Sequence, residues 1–275
     1  MPESATSAKG GSGLARRLRH STSAIQQASA IPQASAIPQA SAIPQARPPA
    51  GFQSKANASN LLGLHMRNRD LPQGDTMTNP LHDGLGRYFS PAQLDALFSA
   101  RIGIAGAGGL GSNAALMLAR CGVGHITLVD DDVVDASNLN RQQYWPRHVG
   151  RHKVDALREL LLELNPHMDV ATHKLHVTAD NLPALLPACP IWIEAFDDPN
   201  DKSLFVEGAL LAGHRVASAS GMGGCGGAPM GRRNLGALVL VGDFTTDILM
   251  APPLAPRVTE AAALLADAVL EMLLG

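Results

Sequence analysis

The stretch RIGIAGAGGLG at residues 101–111 is the strongest indication of how this chain folds. Its first five residues form an apolar, strand-like run, which leads directly into Gly106, Gly108 and Gly111 in the pattern Gly-x-Gly-x-x-Gly, with Gly109 between them. Glycines at these positions permit a tight turn and let a phosphate approach the backbone N–H groups at the start of a helix. The stretch therefore predicts a strand, a phosphate-binding turn and the first turn of a helix.

Helical and strand-like patterns alternate on both sides of this turn. The patterns predict strands at 101–105, 125–130, 170–177, 191–196, 215–219 and 237–241. They predict helices at 91–100, 112–121, 153–164, 181–186, 200–212 and 258–274. Strands that alternate with helices are typical of the α/β class. We therefore expect a doubly wound, Rossmann-like, mostly parallel sheet with helices on both faces.

The first 76 residues differ in composition from the rest of the chain. Residues 23–46 are four copies of a six-residue unit, SAIQQA followed by SAIPQA three times. In residues 21–50, 24 of 30 side chains are Ser, Ala, Pro or Gln, which leaves too few large apolar groups to bury a core. We expect a disordered tail over 1–76 and one folded domain over 77–275. A transit peptide, or a translation start at Met66 or Met77, is an alternative for the tail.

Charge and apolar patterning exclude several classes of protein. Residues 1–76 hold eight basic and three acidic residues, a net of +5, whereas residues 77–275 hold 14 and 21, a net of −7. The acidic domain argues against nucleic acid as a partner. The sequence has no run of about 20 apolar residues, so we expect no membrane partner or membrane span. It also lacks a secretory signal pattern.

The three cysteines, Cys121, Cys189 and Cys225, lie far apart and form no Cys-x-x-Cys pair. This spacing argues against a disulfide framework and against a four-cysteine zinc site, so we expect no zinc. A reducing, cytoplasmic location is the default for such a chain.

The residues after the second strand carry the chemistry. Asp130 ends that strand, where a carboxylate can accept hydrogen bonds from a ribose hydroxyl pair. In the following stretch, 131–142, Arg141 could grip phosphate oxygens in a fork and Asn138 could donate to them. Lys153 is the first residue of the next helix. A positive charge at that end is not stabilised by the helix dipole, so a lysine there makes sense if an anion binds beside it. These residues indicate ATP phosphates as ligands, and the alternatives are surface charges at Arg141 and Lys153.

Four segments also resemble a known superfamily. IAGAGGLGSN at 104–113, VDDDVVDASNLNRQQ at 129–143, GRHKVDALRELLLELNP at 150–166 and EAFDD at 194–198 are similar to the ThiF/MoeB/ubiquitin-activating enzymes. The S-N-L-x-R-Q element is far more specific than the glycine turn, and the resemblance spans nearly all of 77–275. Gly-Asp-Phe at 242–244 and Ala-Pro-Arg-Val at 255–258 resemble the short ThiF branch associated with thiamine biosynthesis.

The resemblance implies a reaction and a set of roles. The reaction is ATP-dependent adenylation of the C-terminal glycine carboxylate of a small ubiquitin-like sulfur carrier, ThiS in the thiamine case, with release of pyrophosphate. The implied roles are ribose binding by Asp130, phosphate binding by Asn138, Arg141 and Lys153, and Mg²⁺ binding by Asp197. The resemblance further implies a homodimer in which an N-terminal arginine reaches the partner's ATP, and Arg87 is the best candidate.

Other interpretations remain open at the level of sequence. The enzyme could adenylate a molybdopterin carrier or a tRNA-borne modification. An NAD-dependent oxidoreductase would explain the glycine turn and Asp130 but not Arg141 or Lys153, and a silent nucleotide-binding scaffold would need all the phosphate residues to be incidental. Cys225, within the glycine-rich segment 221–231, could take part in sulfur transfer or be a plain loop residue. The same segment could act as a lid or as a structural linker.

Overall fold

The computed structural model describes residues 79–248 and 250–275. The predicted tail over 1–76 lies outside these residues, and the domain boundary at residue 77 stays a prediction. Within the described part of the chain, no helix combines the length and the apolar character that crossing a membrane requires.

Helices and strands alternate along the described chain. The helices are α1 Pro80–Leu85, α2 Pro91–Ser99, α3 Gly109–Arg120, α4 Lys153–Leu164, α5 Leu182–Leu185, α6 Pro199–Leu211 and α7 Ala255–Leu274. The strands are β1 Arg101–Ala105, β2 His125–Val129, β3 Asp169–His173, β4 Ile191–Glu194, β5 Arg215–Ala219, β6 Gly231–Leu235 and β7 Leu238–Gly242. Short 3-10 helices lie at Ala136–Asn140, Pro146–His148 and Leu186–Ala188.

The strands form one sheet in the order β3-β2-β1-β4-β5-β7-β6. β1 pairs in parallel with both β2 and β4, and β5 pairs in parallel with β7, whereas β6 runs antiparallel to β7. This arrangement confirms the predicted doubly wound, mostly parallel sheet. Because the chain leaves β1 toward β2 and later returns to β4 on the other side, a crevice opens at the carboxyl ends of β1 and β4.

Apolar side chains cover both faces of the sheet, as predicted. On one face, Ile104 of β1 belongs to a core that also contains buried residues of α2, α3, α4 and α7. On the other face, Trp192 of β4 packs edge-on against Phe205 of α6, with their ring centroids 5.4 Å apart. The closing helix α7 packs along α3 and over strands β4, β5 and β7, so its apolar surface is used within the chain.

Element boundaries differ from the predictions in a few places. α3 begins at Gly109 rather than Ser112, because the glycine turn itself supplies the first helical turn. β3 ends at His173 rather than Val177, where the chain leaves the sheet. The edge strand β6 was not predicted, because the sequence GRRNL is mostly exposed and has no apolar alternation. Polar and charged side chains of this kind are typical of sheet edges.

Candidate functional site

A cleft of about 710 Å³ opens at the carboxyl ends of β1, β2, β4 and β5. Most of the predicted site residues line it, although they come from distant parts of the sequence: Gly106, Gly108, Gly109, Asp130, Asn138, Arg141, Lys153 and Asp197. Gly111 and Arg87 do not line the cleft. The crevice that the strand order creates and the residues that the motifs single out therefore coincide.

Two glycines determine the shape of the turn that follows the carboxyl end of β1. Gly106 has φ +97°, a backbone conformation that residues with a side chain rarely adopt, and a Cβ there would lie 2.7 Å from the carbonyl oxygen of Ala195, the residue after β4. A Cβ on Gly111 would overlap the carbonyl oxygen of Gly106. Gly111 is therefore required for the packing of α3 on β1. Gly108, the N-cap of α3, is less crowded than either of these two, so it is the glycine that a phosphate can approach.

Asp130 joins the glycine turn to the end of β2. Its carboxylate accepts hydrogen bonds from the backbone N–H groups of Ala107, at 2.7 Å, and Asp132, at 2.8 Å. Burial raises the pKa of Asp130, and the charge of Lys153 together with the two backbone N–H groups offsets part of that rise. The carboxylate is thus fixed in the cleft wall, at the position from which the predicted ribose contact would be made.

Lys153 is buried at the start of α4, with 7% of its surface exposed. Its ammonium forms an ion pair with Asp132, with Nζ and Oδ2 2.6 Å apart. The alternative of a solvated surface lysine is therefore wrong. The Tyr144 hydroxyl lies 2.7 Å from the carbonyl oxygen of Ala107 and 3.2 Å from that of Lys153, which ties the glycine turn to the beginning of α4.

Asn138 and Arg141 are presented by the 3-10 helix Ala136–Asn140. The Asn138 side-chain oxygen accepts a hydrogen bond from the backbone N–H of Asp135 at 3.0 Å, so its amide N–H₂ group is the part that can donate to a ligand. Arg141 Nη1 donates to the Ser137 carbonyl at 3.2 Å and to the Asn140 side-chain oxygen at 2.9 Å. These neutral acceptors hold the guanidinium without cancelling its charge.

Asp197 lies on the loop between β4 and α6, where its side chain is exposed and lines the cleft. The fully buried carboxylate of Glu194, at the end of β4, stabilises this loop by accepting a hydrogen bond from the Phe196 N–H at 2.7 Å. Glu194 also receives Lys202 Nζ at 2.6 Å and Ser218 Oγ at 2.5 Å. Sequence reasoning missed this trio, although a charged residue that ends an apolar strand is the signal that identified Asp130.

The two motifs near the C-terminus meet in a buried ion pair. Arg257 Nη2 of α7 lies 2.5 Å from Asp243 Oδ2, and both side chains are almost completely buried. Arg257 Nη1 also donates to the Gly226 carbonyl at 2.6 Å, and the Gly224 N–H donates to the Pro252 carbonyl at 3.0 Å. Hydrogen bonds therefore hold the glycine-rich segment at points that include Gly224 and Gly226, and its last residue, Gly231, begins β6. Cys225 lies between Gly224 and Gly226 and is exposed.

Arg87 lies in the turn after α1 and is exposed outside the cleft of its own chain. Its predicted contact with the ATP of a second copy of the chain stays a prediction. Of the other two cysteines, Cys189 is buried and Cys121 is partly buried.

Curated relatives match about half of this chain. The chain is 43% identical over 133 residues to the adenylyltransferase and sulfurtransferase uba4 of Aspergillus terreus, a match that covers 48% of this chain and 27% of that protein. It is 39% identical over 131 residues to UBA4 of Eremothecium gossypii, covering 46% and 29%. The chain thus spans less than a third of the length of these two relatives.

Solved structures show the same fold. The E. coli tRNA N6-threonylcarbamoyladenosine dehydratase TcdA in complex with ATP superposes with a TM-score of 0.63 at 24% identity, covering 70% of this chain and 93% of that chain. E. coli MccB with ATP superposes with a TM-score of 0.56 at 22% identity, covering 71% and 64%. The sequence model of the ThiF family matches residues 84–234, more than half of the chain, and the protein therefore belongs to the ThiF family.

Proposed function

We propose that this protein adenylates the C-terminal glycine carboxylate of a small ubiquitin-like sulfur carrier, using ATP and releasing pyrophosphate. One observation carries the proposal: a single cleft combines the glycine turn and Asp130 with the cations Arg141 and Lys153 and the carboxylate of Asp197. The alternative of a dinucleotide oxidoreductase rests on the glycine turn and Asp130 alone and leaves the two cations unexplained. The adenylyltransferase relatives support the same reading, and the −7 charge of residues 77–275 disfavours an RNA substrate.

The reaction needs no general base. A C-terminal carboxylate has an ordinary pKa of about 3.5, so it is already ionised at neutral pH. One of its oxygens attacks the α-phosphorus of ATP and forms the acyl–phosphate bond, while the bond to the β-phosphate oxygen breaks and its electrons leave with pyrophosphate. Because both reactants are anions, the barrier is set by alignment and by charge, so positioning and electrostatic stabilisation dominate.

The residues of the cleft have distinct tasks in this scheme. Backbone N–H groups of the glycine turn hold a nucleotide phosphate at the start of α3, where the helix dipole favours an anion. Asp130 accepts the ribose hydroxyls. Arg141 and Lys153 hold the phosphate oxygens on which charge develops, and Asn138 donates its amide N–H₂ to the same group.

The cleft also suits a magnesium ion. Asp197 offers an exposed carboxylate beside the phosphate-binding residues, and Mg²⁺ at phosphoryl-transfer sites takes one or two carboxylates together with substrate phosphates. When bound there, the ion supplies charge neutralisation for the phosphates.

The carrier and the assembly are the finer parts of the proposal. The Gly-Asp-Phe and Ala-Pro-Arg-Val motifs, joined by the Asp243–Arg257 pair, favour a ThiS-like carrier of thiamine biosynthesis. We further propose a homodimer in which Arg87 completes the partner's site. Mixing Arg87→Ala protein with Lys153→Ala protein tests this arrangement, because a mixed dimer holds one site that lacks neither residue. No recovery of activity on mixing would contradict the role across the dimer.

The decisive experiment is pyrophosphate release from ATP and Mg²⁺ with one candidate substrate at a time. We expect release with a ThiS-like carrier and none with the same carrier amidated at its C-terminus, since the amide cannot attack as a carboxylate. If pyrophosphate is released only with a molybdopterin-type carrier, or only with RNA, that molecule replaces the ThiS-like carrier as the proposed substrate. Binding of NADH without binding of ATP would contradict the proposed adenylation activity.

A further inference from the structure

Glu194, Lys202 and Ser218 form a polar trio under the cleft between β4 and β5. Glu194 ends β4 and is fully buried, Ser218 lies on β5, and Lys202 comes from the second turn of α6. Lys202 and Ser218 line the cleft, whereas Glu194 lies behind them. None of the roles described above for nucleotide binding uses this trio.

We infer that Lys202 binds the terminal carboxylate of the acyl substrate, and that Glu194 and Ser218 are positioning residues that hold Lys202 for this purpose. The inference rests on the proposed adenylation and adds the residue that receives the second substrate.

The hydrogen bonds of the trio leave Lys202 with donors to spare. The Glu194 carboxylate receives Lys202 Nζ at 2.6 Å, Ser218 Oγ at 2.5 Å and the Phe196 N–H at 2.7 Å, so its lone pairs are well used. An ammonium has three N–H donors, and Glu194 takes one of them. The Lys202 side chain is 22% exposed and lines the cleft, whereas the Glu194 side chain is fully buried. The remaining N–H donors of Lys202 are therefore available to a ligand in the cleft.

The surroundings of Glu194 make a purely structural role a poor explanation. Its neighbours in the strands, Ile193, Ala195, Ala217 and Ala219, are apolar and buried. Replacing a buried ion pair by apolar residues of similar volume is often neutral or stabilising, so such a pair is weak evidence of a need for stability. A charged side chain that lines a cleft, as Lys202 does, is a candidate for binding a ligand there.

The position of Lys202 assigns it to the second substrate. A nucleotide in a doubly wound sheet places its phosphates at the glycine turn and its ribose at the carboxylate after β2, which are Gly106 and Asp130 here. Both belong to the β1–β2 half of the cleft. Lys202 and Ser218 belong to the β4–β5 half, beyond the point where the strand order reverses. A substrate that reacts through a carboxylate has to be brought beside anionic phosphates, and a cation in that half offsets the repulsion.

Calorimetry with two forms of one carrier tests the inference without relying on turnover. A ThiS-like carrier with a free C-terminal carboxylate and the same carrier with a C-terminal amide are titrated into protein saturated with α,β-methylene ATP. We expect wild type to prefer the carboxylate form about tenfold or more, the range of a hydrogen bond to a charged group. Lys202→Met should reduce that preference to about twofold and leave the affinity for the ATP analogue within about twofold of wild type.

Three further variants control for misfolding and for general loss of charge. Glu194→Gln with Lys202→Gln removes both charges, so no uncompensated carboxylate is left buried, and we expect a folded protein that has lost the preference. Lys202→Arg keeps the cation and should keep most of the preference. Lys174→Met removes a lysine from an ion pair of the same 2.6 Å length with Asp155 outside the cleft, and should behave as wild type.

The outcomes separate this inference from the proposed function. Equal binding of the two carrier forms by wild type, or binding of neither, overturns the inference. A Lys202→Met protein that keeps the wild-type preference for the carboxylate form also overturns it, whether or not its affinity for the ATP analogue falls. A wild-type protein that discriminates through Lys202 yet releases no pyrophosphate supports the inference and contradicts the adenylation activity instead.

Discussion

Replacing Asp243 by Ala removes one partner of the buried pair that joins the end of β7 to α7. Arg257 would keep its place beneath the glycine-rich segment, because its Nη1 still donates to the carbonyls of Gly226 and Ala228. Its positive charge, however, would lose the only carboxylate that pairs with it in the described part of the chain. The variant therefore leaves an uncompensated charge in a site that is almost completely buried.

The expected size of the effect follows from that burial. Breaking a buried pair by removing one partner costs about 3–5 kcal/mol, since the remaining charge is not solvated. For a domain of roughly 200 residues, 1 kcal/mol shifts the melting temperature by about 2–4 °C, so we expect a fall of about 6–20 °C. The double variant Asp243→Ala/Arg257→Met removes both charges and should be at least as stable as Asp243→Ala alone.

The effect should also depend on pH. Burial alone would raise the pKa of Asp243, but hydrogen bonds from Thr246 and Thr245 and the charge of Arg257 outweigh it, and the pKa is lowered. A carboxyl with a lowered pKa contributes stability that is present above its unfolded pKa of about 3.9 and lost as the pH falls through the folded value. The difference between wild type and variant should thus be full at neutral pH and shrink in acid.

Thermal unfolding followed by circular dichroism measures these quantities. Asp267→Ala is the control, because Asp267 is 73% exposed and pairs with Arg232 at 3.7 Å. An exposed pair of this kind is worth at most about 1 kcal/mol. The buried charge would not be the cause if the melting temperature of Asp243→Ala falls by less than about 2 °C. The same holds if the double variant loses as much stability as Asp243→Ala and Arg257→Met lose together.

The remaining predictions concern the cleft. Arg141→Ala and Lys153→Ala should each lower carrier-dependent pyrophosphate release about 100-fold, because each removes a preorganised cation, and a loss below about threefold would show that the residue does not hold the phosphates. Asp197→Ala should abolish ATP–pyrophosphate exchange with an unchanged melting temperature, so near-normal exchange would argue against its role. Gly111→Ala should destabilise the protein by about 3 kcal/mol, because the new Cβ overlaps a carbonyl oxygen. Gly84→Ala, where an added Cβ has nothing within 4 Å, is its control and should cost no stability.

The fold could be predicted because its signals are local. The boundaries of α4 and β1 follow from apolar periodicity and from the glycine turn, and the structure reproduces both. The edge strand β6 could not be predicted in this way. Its residues GRRNL bury little surface, and they become a strand through pairing with β7, which a pattern of burial does not reveal.

The candidate site divides along the same line. Asp130, Arg141 and Lys153 stand beside recognisable motifs, so their types and spacing were enough to single them out. Asp132 as the partner of Lys153 was not foreseen, because the two residues meet only where the loop after β2 passes the start of α4. Arg87 lies outside the cleft of its own chain, so its predicted role requires a second copy.

Local sequence patterns were sufficient to predict a mostly parallel α/β sheet, a glycine turn and the residue types at the nucleotide end of the cleft. Tertiary structure alone decided that Glu194 would meet Lys202 and Ser218, and that Asp243 would meet Arg257. The physical reason is the range of the forces involved. Backbone conformation and apolar periodicity act between near neighbours in the chain, whereas charge pairing under a cleft requires strands and helices that only the finished sheet brings together.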